Sequence, residues 1–194
     1  MATFLKRTEI LTESAMTLPG HFYKSPEVFG EEMEKIFGQR WLCVGREDRL
    51  TEPGEYFVQS IEVEEALVLR DQSGRLRAFY NVCRHRGTRL CEARSGKLSG
   101  TILCPYHSWA YSLDGRLVGA PSTNDIPGFD KADYPLHQIP LRTWQGFAFI
   151  SLAQDPPPFE EMFEGLDDRA SLYNLSNLKL FQEIVYDVNA NWKL

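Results

Sequence analysis

The sequence has no apolar run long enough to cross a lipid bilayer, and its first residues, Met1 to Arg7, lack the apolar core that a secretory signal needs. These two absences predict a cytoplasmic protein with no membrane partner. Basic residues are also outnumbered, since 21 Lys and Arg against 27 Asp and Glu give a net charge of −6. A nucleic-acid-binding protein is expected to be basic, so this class is disfavoured.

Cysteine and histidine are scarce, with four of each in 194 residues. In a cytoplasmic chain, such cysteines are more often metal ligands or buried thiols than disulfide partners. Apolar and aromatic side chains are plentiful, at 43% and 12% of the residues, so a packed core is expected and disorder is not. The length allows one ordinary domain and part of another.

Residues 25–38 are predicted to form a helix near the N-terminus. Ser25 suits the N-cap, Pro26 suits the first helical position, and Gly38 ends the pattern. Four apolar residues lie at helical spacing and form one stripe, which predicts packing against a core. They are Phe29, Met33, Ile36 and Phe37.

After Trp41 the pattern changes to short β-rich runs. Residues 65–70 and 75–82 are separated by the turn-forming residues 71–74, which predicts a β-hairpin. Further strands are predicted at 101–103 and 146–152. Short strands joined by glycine-containing turns are typical of an antiparallel sandwich or a small barrel.

The prolines of residues 155–158 break this pattern and predict a linker. A helical stretch is predicted from Phe159 to Tyr173, and the alternating run 184–188 resembles a first strand that has no partner in this chain. Residues 191–194 carry no stop signal, so we expect the sequence to be truncated within a second domain.

Two segments carry candidate metal ligands. The first offers Cys83 and His85 in a Cys-x-His pattern, and the second offers Cys104 and His107 in a Cys-x-x-His pattern. Two thiolates and two imidazoles can hold either one tetrahedral zinc ion or a Rieske-type [2Fe–2S] cluster, in which two histidines replace two cysteines on one iron.

The order of the ligands favours the cluster. Structural zinc sites usually pair like ligands, as Cys-x₂₋₄-Cys followed by His-x₃₋₅-His. Here each segment supplies one ligand of each kind, as a two-iron site needs when each loop sends its cysteine to one iron and its histidine to the other. A zinc-stapled binding module is the weaker alternative.

These motifs resemble those of the Rieske domain in the α subunits of ring-hydroxylating, non-haem iron oxygenases, whose pattern is Cys-x-His-Arg-Gly followed by Cys-Pro-Tyr-His-x-Trp. The resemblance covers nearly the whole chain and includes Asn191-Trp192-Lys193. It implies a mainly β fold (α+β overall): a Rieske-type antiparallel β-sandwich of short sheets, with an N-terminal helix and the start of a truncated C-terminal α+β domain.

The domain bounds implied by this resemblance are an N-terminal helical arm (1–38), a Rieske domain (39–155), and a linker with the beginning of a catalytic domain (156–194). The cluster would be bound by Cys83, His85, Cys104 and His107. In the family, the ligands of a mononuclear Fe(II) follow the Asn-Trp-Lys motif, so they are expected beyond Leu194. This chain is therefore expected to contain no catalytic residue.

The resemblance also implies a function. Electrons would pass from a reductase or a ferredoxin through the cluster to the mononuclear iron, which activates O₂ for hydroxylation. That iron commonly lies in a neighbouring subunit, so a homo-oligomer, commonly a trimer, is expected. Substrates in the family include aromatic rings and small quaternary amines, and residues 18–23 and 37–41 resemble the quaternary-amine branch slightly more. A stand-alone Rieske ferredoxin is the alternative function.

Several residues around the ligands carry separate expectations. Ser108 stands where many family members have glycine, at a loop position where a positive φ is plausible. Tyr106 and loop amides are candidate hydrogen-bond donors to sulfur, whereas Trp109 and Tyr111 are expected to pack. Cys43 and Cys91 are expected to be ordinary thiols, with Cys43 in the core.

The charged and imidazole groups nearby receive simpler expectations. Arg84 and Arg86, which flank His85, are candidates for steering an acidic electron donor. His21 and His137 lack the spacing of a 2-His-1-carboxylate iron site and are expected to be ordinary histidines.

Overall fold

The structure, a computed structural model, describes residues 16–123 and 125–194. The first fifteen residues of the predicted N-terminal arm lie outside the described residues. The described part is mostly short strands with few helices, as the sequence predicts.

The described residues form ten strands in three antiparallel sheets, in the orders β1-β10-β9, β4-β3-β2-β5 and β6-β7-β8. The strands are β1 Leu42–Arg46, β2 Glu55–Ile61, β3 Glu64–Arg70, β4 Leu76–Tyr80, β5 Ser95–Lys97, β6 Thr101–Leu103, β7 Ala110–Ser112, β8 Leu117–Gly119, β9 Leu141–Trp144 and β10 Phe147–Ile150. The α-helices are α1 Pro26–Glu32 and α2 Asp167–Tyr173, and a π-helical turn, Met33–Phe37, follows α1 directly.

The four-stranded sheet is the middle layer of the fold. Along β3, Leu67 and Leu69 point into one core, and Ala66 and Val68 point into another, because alternate residues of a strand face opposite sides. The first core lies against β6-β7-β8, and the second lies against β1 and β10. The continuous apolar run 66–69 is the sequence signature of a strand that is buried on both faces.

The predicted hairpin 65–70/75–82 is confirmed as β3 and β4, joined at the turn that begins with Asp71. The predicted strand at 101–103 is confirmed as β6, and the strand predicted at 146–152 is confirmed in its central part as β10. At the Asp114-Gly115 turn between β7 and β8, Gly115 has a φ of +91°, and a Cβ there would collide with the ring of Phe79. Only glycine fits this position.

The predicted helix at 25–38 is confirmed, although its last turn is π-helical. The Ser25 hydroxyl accepts a hydrogen bond from the backbone N–H of Val28 at 3.3 Å, which is the N-cap contact that the sequence predicts. The turn ends with the backbone N–H of Gly38 donating to Met33 O at 2.8 Å, a bond that spans five residues.

The predicted linker after residue 155 packs against the β-domain. The Trp41 indole N–H donates to Pro157 O at 2.8 Å, and Phe159 lies in a buried aromatic cluster with Trp41, Phe149 and Phe163. The helical stretch predicted from Phe159 to Tyr173 is confirmed, and it is divided into a 3₁₀ turn, Glu160–Phe163, and α2.

Residues 184–188 form no ladder with the described residues, so the run predicted as a strand has no strand partner here.

The prediction that Cys43 belongs to the core was wrong. Its side chain is exposed because residues alternate along β1, where Val44 and Arg46 are buried and Cys43 faces the other side. No helix in the described residues is long and apolar enough to span a membrane.

Asp71 generates a stability prediction. Burial alone would raise the pKa of this carboxyl, but hydrogen bonds from Ser73, Arg77 and the backbone N–H of Arg75 lower it to about 2. A carboxyl with a lowered folded-state pKa contributes stability above its unfolded-state pKa, and that contribution is lost as the pH falls. We expect Asp71 to contribute about 2 kcal/mol at neutral pH, and this contribution to disappear between about pH 4 and pH 2.

The measurement is the free energy of unfolding from urea titrations at several pH values between 2 and 7. Asp71→Asn should flatten the acidic part of the profile. The exposed Asp155 has no side-chain hydrogen bond to a described residue, and Asp155→Asn is the control that should leave the profile unchanged. Identical acid dependence in wild type and Asp71→Asn would contradict the prediction.

Candidate metal centre

Two loops of the same local shape carry the candidate ligands. Loop 1 (residues 83–91) follows β4, and loop 2 (residues 104–109) joins β6 to β7. In each loop, the N–H of the first cysteine donates to a carbonyl five residues later: Cys83 to Thr88 O at 2.8 Å, and Cys104 to Trp109 O at 2.7 Å. This hydrogen bond, present in both loops, folds each loop back on itself and places its candidate ligands on one side.

Each loop also contains a left-handed residue at the same place, four positions after its cysteine. Gly87 has a φ of +68°, and Ser108 has a φ of +56°. The backbone N–H of each donates to the carbonyl of its cysteine, at 3.0 Å in loop 1 and 3.1 Å in loop 2. The expectation that Ser108 occupies a position of positive φ is therefore confirmed, and its Cβ makes the conformation more costly than glycine would.

The fold brings the four predicted ligands together. Cys83 and Cys104 are buried, and their thiols lie close enough to interact. The rings of His85 and His107 lie 4.7 Å apart between centroids. His85 is exposed, so the thiols face the core and the imidazole pair lies towards the surface. No group of three or more His, Cys, Asp or Glu side chains in the described ranges is arranged to hold a single metal ion.

One atom of this set lacks a partner. His107 Nδ1 is buried and has no hydrogen-bond partner among the described residues. An unpaired buried polar atom costs roughly 1–3 kcal/mol, so native structures rarely keep one without a reason. A ring nitrogen whose lone pair is free of hydrogen bonds is available to coordinate a metal. The residues present therefore fit a metal-containing group at this place.

The ionisation preferences of His85 and Cys83 differ. Burial, then the neighbouring His107 and Arg86, lower the pKa of His85, which favours the neutral imidazole that metals bind. Burial raises the pKa of the Cys83 thiol, and the hydrogen bonds from Tyr111 and from the backbone N–H of His85 oppose this. A coordinated metal ion deprotonates such a thiol outright.

Tyr111, which we expected only to pack, contacts a ligand sulfur. Its hydroxyl lies 3.3 Å from Cys83 Sγ and accepts a hydrogen bond from the backbone N–H of Arg84 at 3.1 Å. Because the oxygen accepts from Arg84, its own proton is free to point at the sulfur. The tyrosine predicted for this role, Tyr106, is 59% exposed and lies against the ring of His107 instead. Sequence alone gave no signal for this difference, since it depends on which face of β7 meets loop 1.

Asn81 closes loop 1. Its side chain makes two hydrogen bonds to the backbone of Cys91: Nδ2 donates to the carbonyl at 2.8 Å, and Oδ1 accepts from the N–H at 2.9 Å. Nδ2 also donates to Glu65 at 3.0 Å. Asn81 is 3% exposed, so these contacts are shielded from water. No sequence pattern marks Asn81 as part of the site, although it stands two positions before Cys83.

Trp109 packs against the candidate ligand His85. Its ring stacks on that of His85 with centroids 4.9 Å apart and planes 9° apart, and it meets Phe129 and Tyr134 edge-on. It is 4% exposed, and the structure therefore agrees with a packing role. Cys91 is also buried, as expected for an ordinary thiol, and burial raises its pKa to about 11.

The two arginines that flank His85 differ in their surroundings. Arg84 Nη1 donates to Pro135 O at 3.3 Å and lies 3.2 Å from His137 Nδ1, so this side chain ties loop 1 to the 135–137 segment. Arg86 is exposed and forms no salt bridge with a described residue. Of the two candidates for electrostatic steering, Arg86 is the one whose side chain is not tied to another described segment.

Removing the Asn81 side chain should loosen loop 1. We expect Asn81→Ala to lower the free energy of unfolding by roughly 2–4 kcal/mol, because the buried N–H and C=O of Cys91 lose their partners. Urea denaturation measures this change. Asn177→Ala is the matched control, since the Asn177 side chain is exposed and bonds only Asn174. A loss below about 0.5 kcal/mol, as is usual for surface substitutions, would contradict the role of Asn81.

Comparison with known proteins finds a family match over the part of the chain that contains the four candidate ligands. Residues 40–130 match the family model of the Rieske [2Fe-2S] domain. The chain is 39% identical over 178 residues to the glycine betaine monooxygenase oxygenase subunit of Chromohalobacter salexigens, covering 92% of this chain and 40% of that protein. It is 35% identical to the carnitine monooxygenase oxygenase subunit of Acinetobacter baumannii, covering 93% of this chain and 49% of that protein.

Solved structures agree. A quaternary ammonium Rieske monooxygenase in complex with L-carnitine superposes with a TM-score of 0.82 at 35% identity, covering 89% of this chain and 49% of the other. Naphthalene 1,2-dioxygenase from Rhodococcus sp. superposes with a TM-score of 0.71 at 35% identity, covering 75% of this chain and 33% of the other. The chain thus spans between about a third and half of the length of these relatives.

The domain match identifies residues 40–130 as a member of the Rieske [2Fe-2S] domain family, and the similarity over most of the chain and the shared fold relate the chain to the oxygenase subunits of Rieske oxygenases.

Proposed function

We propose that Cys83, His85, Cys104 and His107 hold a [2Fe–2S] cluster and that this centre makes the chain the electron-transfer part of an oxygenase subunit. When bound, the cluster supplies reversible one-electron transfer at a potential in the Rieske window, roughly −150 to +300 mV. The unpaired, buried Nδ1 of His107 is the observation that supports the site most directly.

The arrangement of like ligands supports two irons rather than one zinc. The two thiols are neighbours on the buried side, and the two imidazoles are neighbours on the outer side. Each loop therefore contributes one ligand to each pair. Two cysteines on one iron and two histidines on the other is the distribution of a Rieske centre. The exposed edge of His85 offers a short path for electrons between the protein surface and the site.

For the whole protein, we propose that a reductase or a ferredoxin supplies electrons and that a mononuclear Fe(II) outside these 194 residues receives them to activate O₂. The relatives named above are oxygenase subunits, and one related structure is described in terms of inter-subunit electron transfer. A homo-oligomer such as a trimer, and a cytoplasmic location, belong to the same proposal.

We propose small quaternary ammonium compounds as the substrate class. The glycine betaine and carnitine monooxygenase subunits match 92% to 93% of this chain. The quaternary ammonium monooxygenase structure also covers more of the chain than the naphthalene dioxygenase does, at 89% against 75%. Monooxygenation is the reaction that these relatives' names carry.

A stand-alone electron carrier is the second candidate. Against it, the similarity to oxygenase subunits extends well beyond residue 130. The chain after the linker is also held by the β-domain, since the guanidinium of Arg46 donates to Leu175 O at 3.1 Å and to Leu178 O at 2.6 Å. A minimal carrier has no need of this segment.

The cluster proposal is tested by metal analysis and spectroscopy. Anaerobically reconstituted protein should contain about two irons and two sulfides per chain and give a Rieske EPR signal when reduced. His107→Ala should abolish that signal, whereas His137→Ala, which alters an exposed histidine, should retain it. One zinc ion per chain without sulfide, or an unchanged spectrum in His107→Ala, would contradict the proposal.

Tyr111 provides a separate prediction about potential. Reduction places more negative charge on the cluster, so a hydrogen bond donated to the Cys83 sulfur stabilises the reduced state. We expect Tyr111→Phe to lower the midpoint potential by roughly 40 mV, the equivalent of about 1 kcal/mol for a one-electron couple. Protein-film voltammetry measures it.

Tyr106→Phe is the matched control because the exposed Tyr106 side chain has no hydrogen bond to a described sulfur. Its potential should equal that of the wild type. The role assigned to Tyr111 is wrong if Tyr111→Phe leaves the potential in place or raises it.

A further inference from the structure

The Asn191-Trp192-Lys193 segment contacts the N-terminal arm at three separate places. The Asn191 side chain donates to Tyr23 O at 3.3 Å, the Trp192 ring meets the Phe37 ring edge-on with centroids 5.2 Å apart, and Lys193 reaches Glu32. These partners lie about 155–170 positions away along the chain. Arm and segment are therefore joined by tertiary contacts rather than by sequence proximity.

Glu32 is the centre of these contacts. Its two carboxylate oxygens accept hydrogen bonds from Lys193 Nζ at 2.7 and 2.8 Å, and Oε2 also accepts from the Trp192 indole N–H at 2.9 Å. The side chains of Glu32 and Lys193 are each only 12% exposed. One carboxylate thus receives three hydrogen bonds from two adjacent residues, and two of them come from a positive charge.

Two aromatic rings enclose the ammonium group. Lys193 Nζ lies 5.2 Å from the centroid of the Trp192 ring and 5.8 Å from that of the Tyr23 ring. A cation over an aromatic face within about 6 Å is attracted by the ring quadrupole. Within the segment, the Asn191 side chain accepts from the backbone N–H of Lys193 at 3.1 Å. That turn presents Trp192 and Lys193 to the same carboxylate.

The π-helical turn explains how the arm presents this surface. Glu32 and Phe37 are five residues apart, and in an α-helix residues at that spacing point in clearly different directions. Between them the chain is π-helical, with a hydrogen bond from Gly38 to Met33 that spans five residues. Residues five apart therefore lie more nearly above one another. Such turns are rare and are found frequently at functional sites.

We propose that Glu32 is the positioning residue that couples the N-terminal arm to the Asn-Trp-Lys segment and so fixes the direction in which the chain leaves the electron-transfer domain. The inference is independent of the proposed cluster, because none of these groups contacts the candidate ligands. The geometry also accounts for the choice of residues: a carboxylate receives an ammonium group and an indole N–H at once, and neither a neutral amide nor a shorter Asp reproduces that reach and charge.

The test compares Glu32→Gln with Glu31→Gln in the cluster-loaded protein. The neighbouring Glu31 pairs with Lys35 at 2.6 Å, but both side chains are about two-thirds exposed, so Glu31→Gln controls for loss of charge on the same helix. Hydrogen exchange of the backbone amides of Lys193 and Leu194 should be faster by about tenfold or more in Glu32→Gln and unchanged in Glu31→Gln. The NMR signal of the Trp192 indole N–H should shift only in Glu32→Gln.

A conservative change separates positioning from general stability. Lys193→Arg keeps the positive charge that the Glu32 carboxylate receives and should keep most of the exchange protection, whereas Lys193→Gln should lose it, and the visible spectrum of the cluster should be the same throughout. Equal exchange in Glu32→Gln and Glu31→Gln, or equal exchange in Lys193→Arg and Lys193→Gln, would overturn the proposal. If Glu32→Gln does not fold, Lys193→Gln replaces it. Hydrogen exchange at Leu194 as slow in Lys193→Gln as in the wild type would then overturn the proposal.

Discussion

Burial of β3 on both of its faces is the constraint on which the rest of the structure depends. Leu67 and Leu69 pack towards the three-stranded sheet that carries loop 2, while Ala66 and Val68 pack towards β1 and β10. This places β4 and β6 on fixed sides of one core, and the loops that follow them start from fixed points. Phe79 of β4 is fully buried against Gly115, which lies in the turn after β7. A shift of β4, which precedes loop 1, relative to β7, which follows loop 2, would therefore create a cavity or a steric clash.

The site itself is organised by polarity. The two candidate ligand sulfurs lie in the core, where a tyrosine hydroxyl and backbone N–H groups are the available hydrogen-bond donors, and the imidazoles lie at the rim. For the proposed cluster, a buried sulfur pair favours stable coordination because water cannot compete for the metal, and an exposed imidazole edge keeps the site close to the protein surface. The same two backbone hydrogen bonds shape both loops. This arrangement therefore forms although the candidate ligands are spaced as Cys-x-His in one loop and as Cys-x-x-His in the other.

Outside the site, Arg46 and Glu32 are among the side chains that bind the later part of the chain to the earlier part. Arg46, 8% exposed, holds the backbone near residues 175–178, and Glu32 receives the Asn-Trp-Lys segment. Arg46 is buried and Glu32 is half-buried, and the hydrogen-bonding capacity of each is well satisfied, which is the condition under which such a charge is tolerated. The arm, the β-domain and the final segment are thereby connected through side chains far apart in sequence.

The sequence by itself determined the mainly β architecture, the hairpin around Asp71 and the four candidate ligands, because turn residues, alternation and ligand spacing are local properties. It also indicated a left-handed position at Ser108. Tertiary structure alone decided that Tyr111 rather than Tyr106 faces a sulfur, that Cys43 is exposed, that Asn81 closes loop 1 and that Glu32 meets Lys193. Each of these depends on which distant surfaces pack together. The local sequence pattern shows that residues of a strand alternate, but only the packed structure decides which of the two faces meets the core.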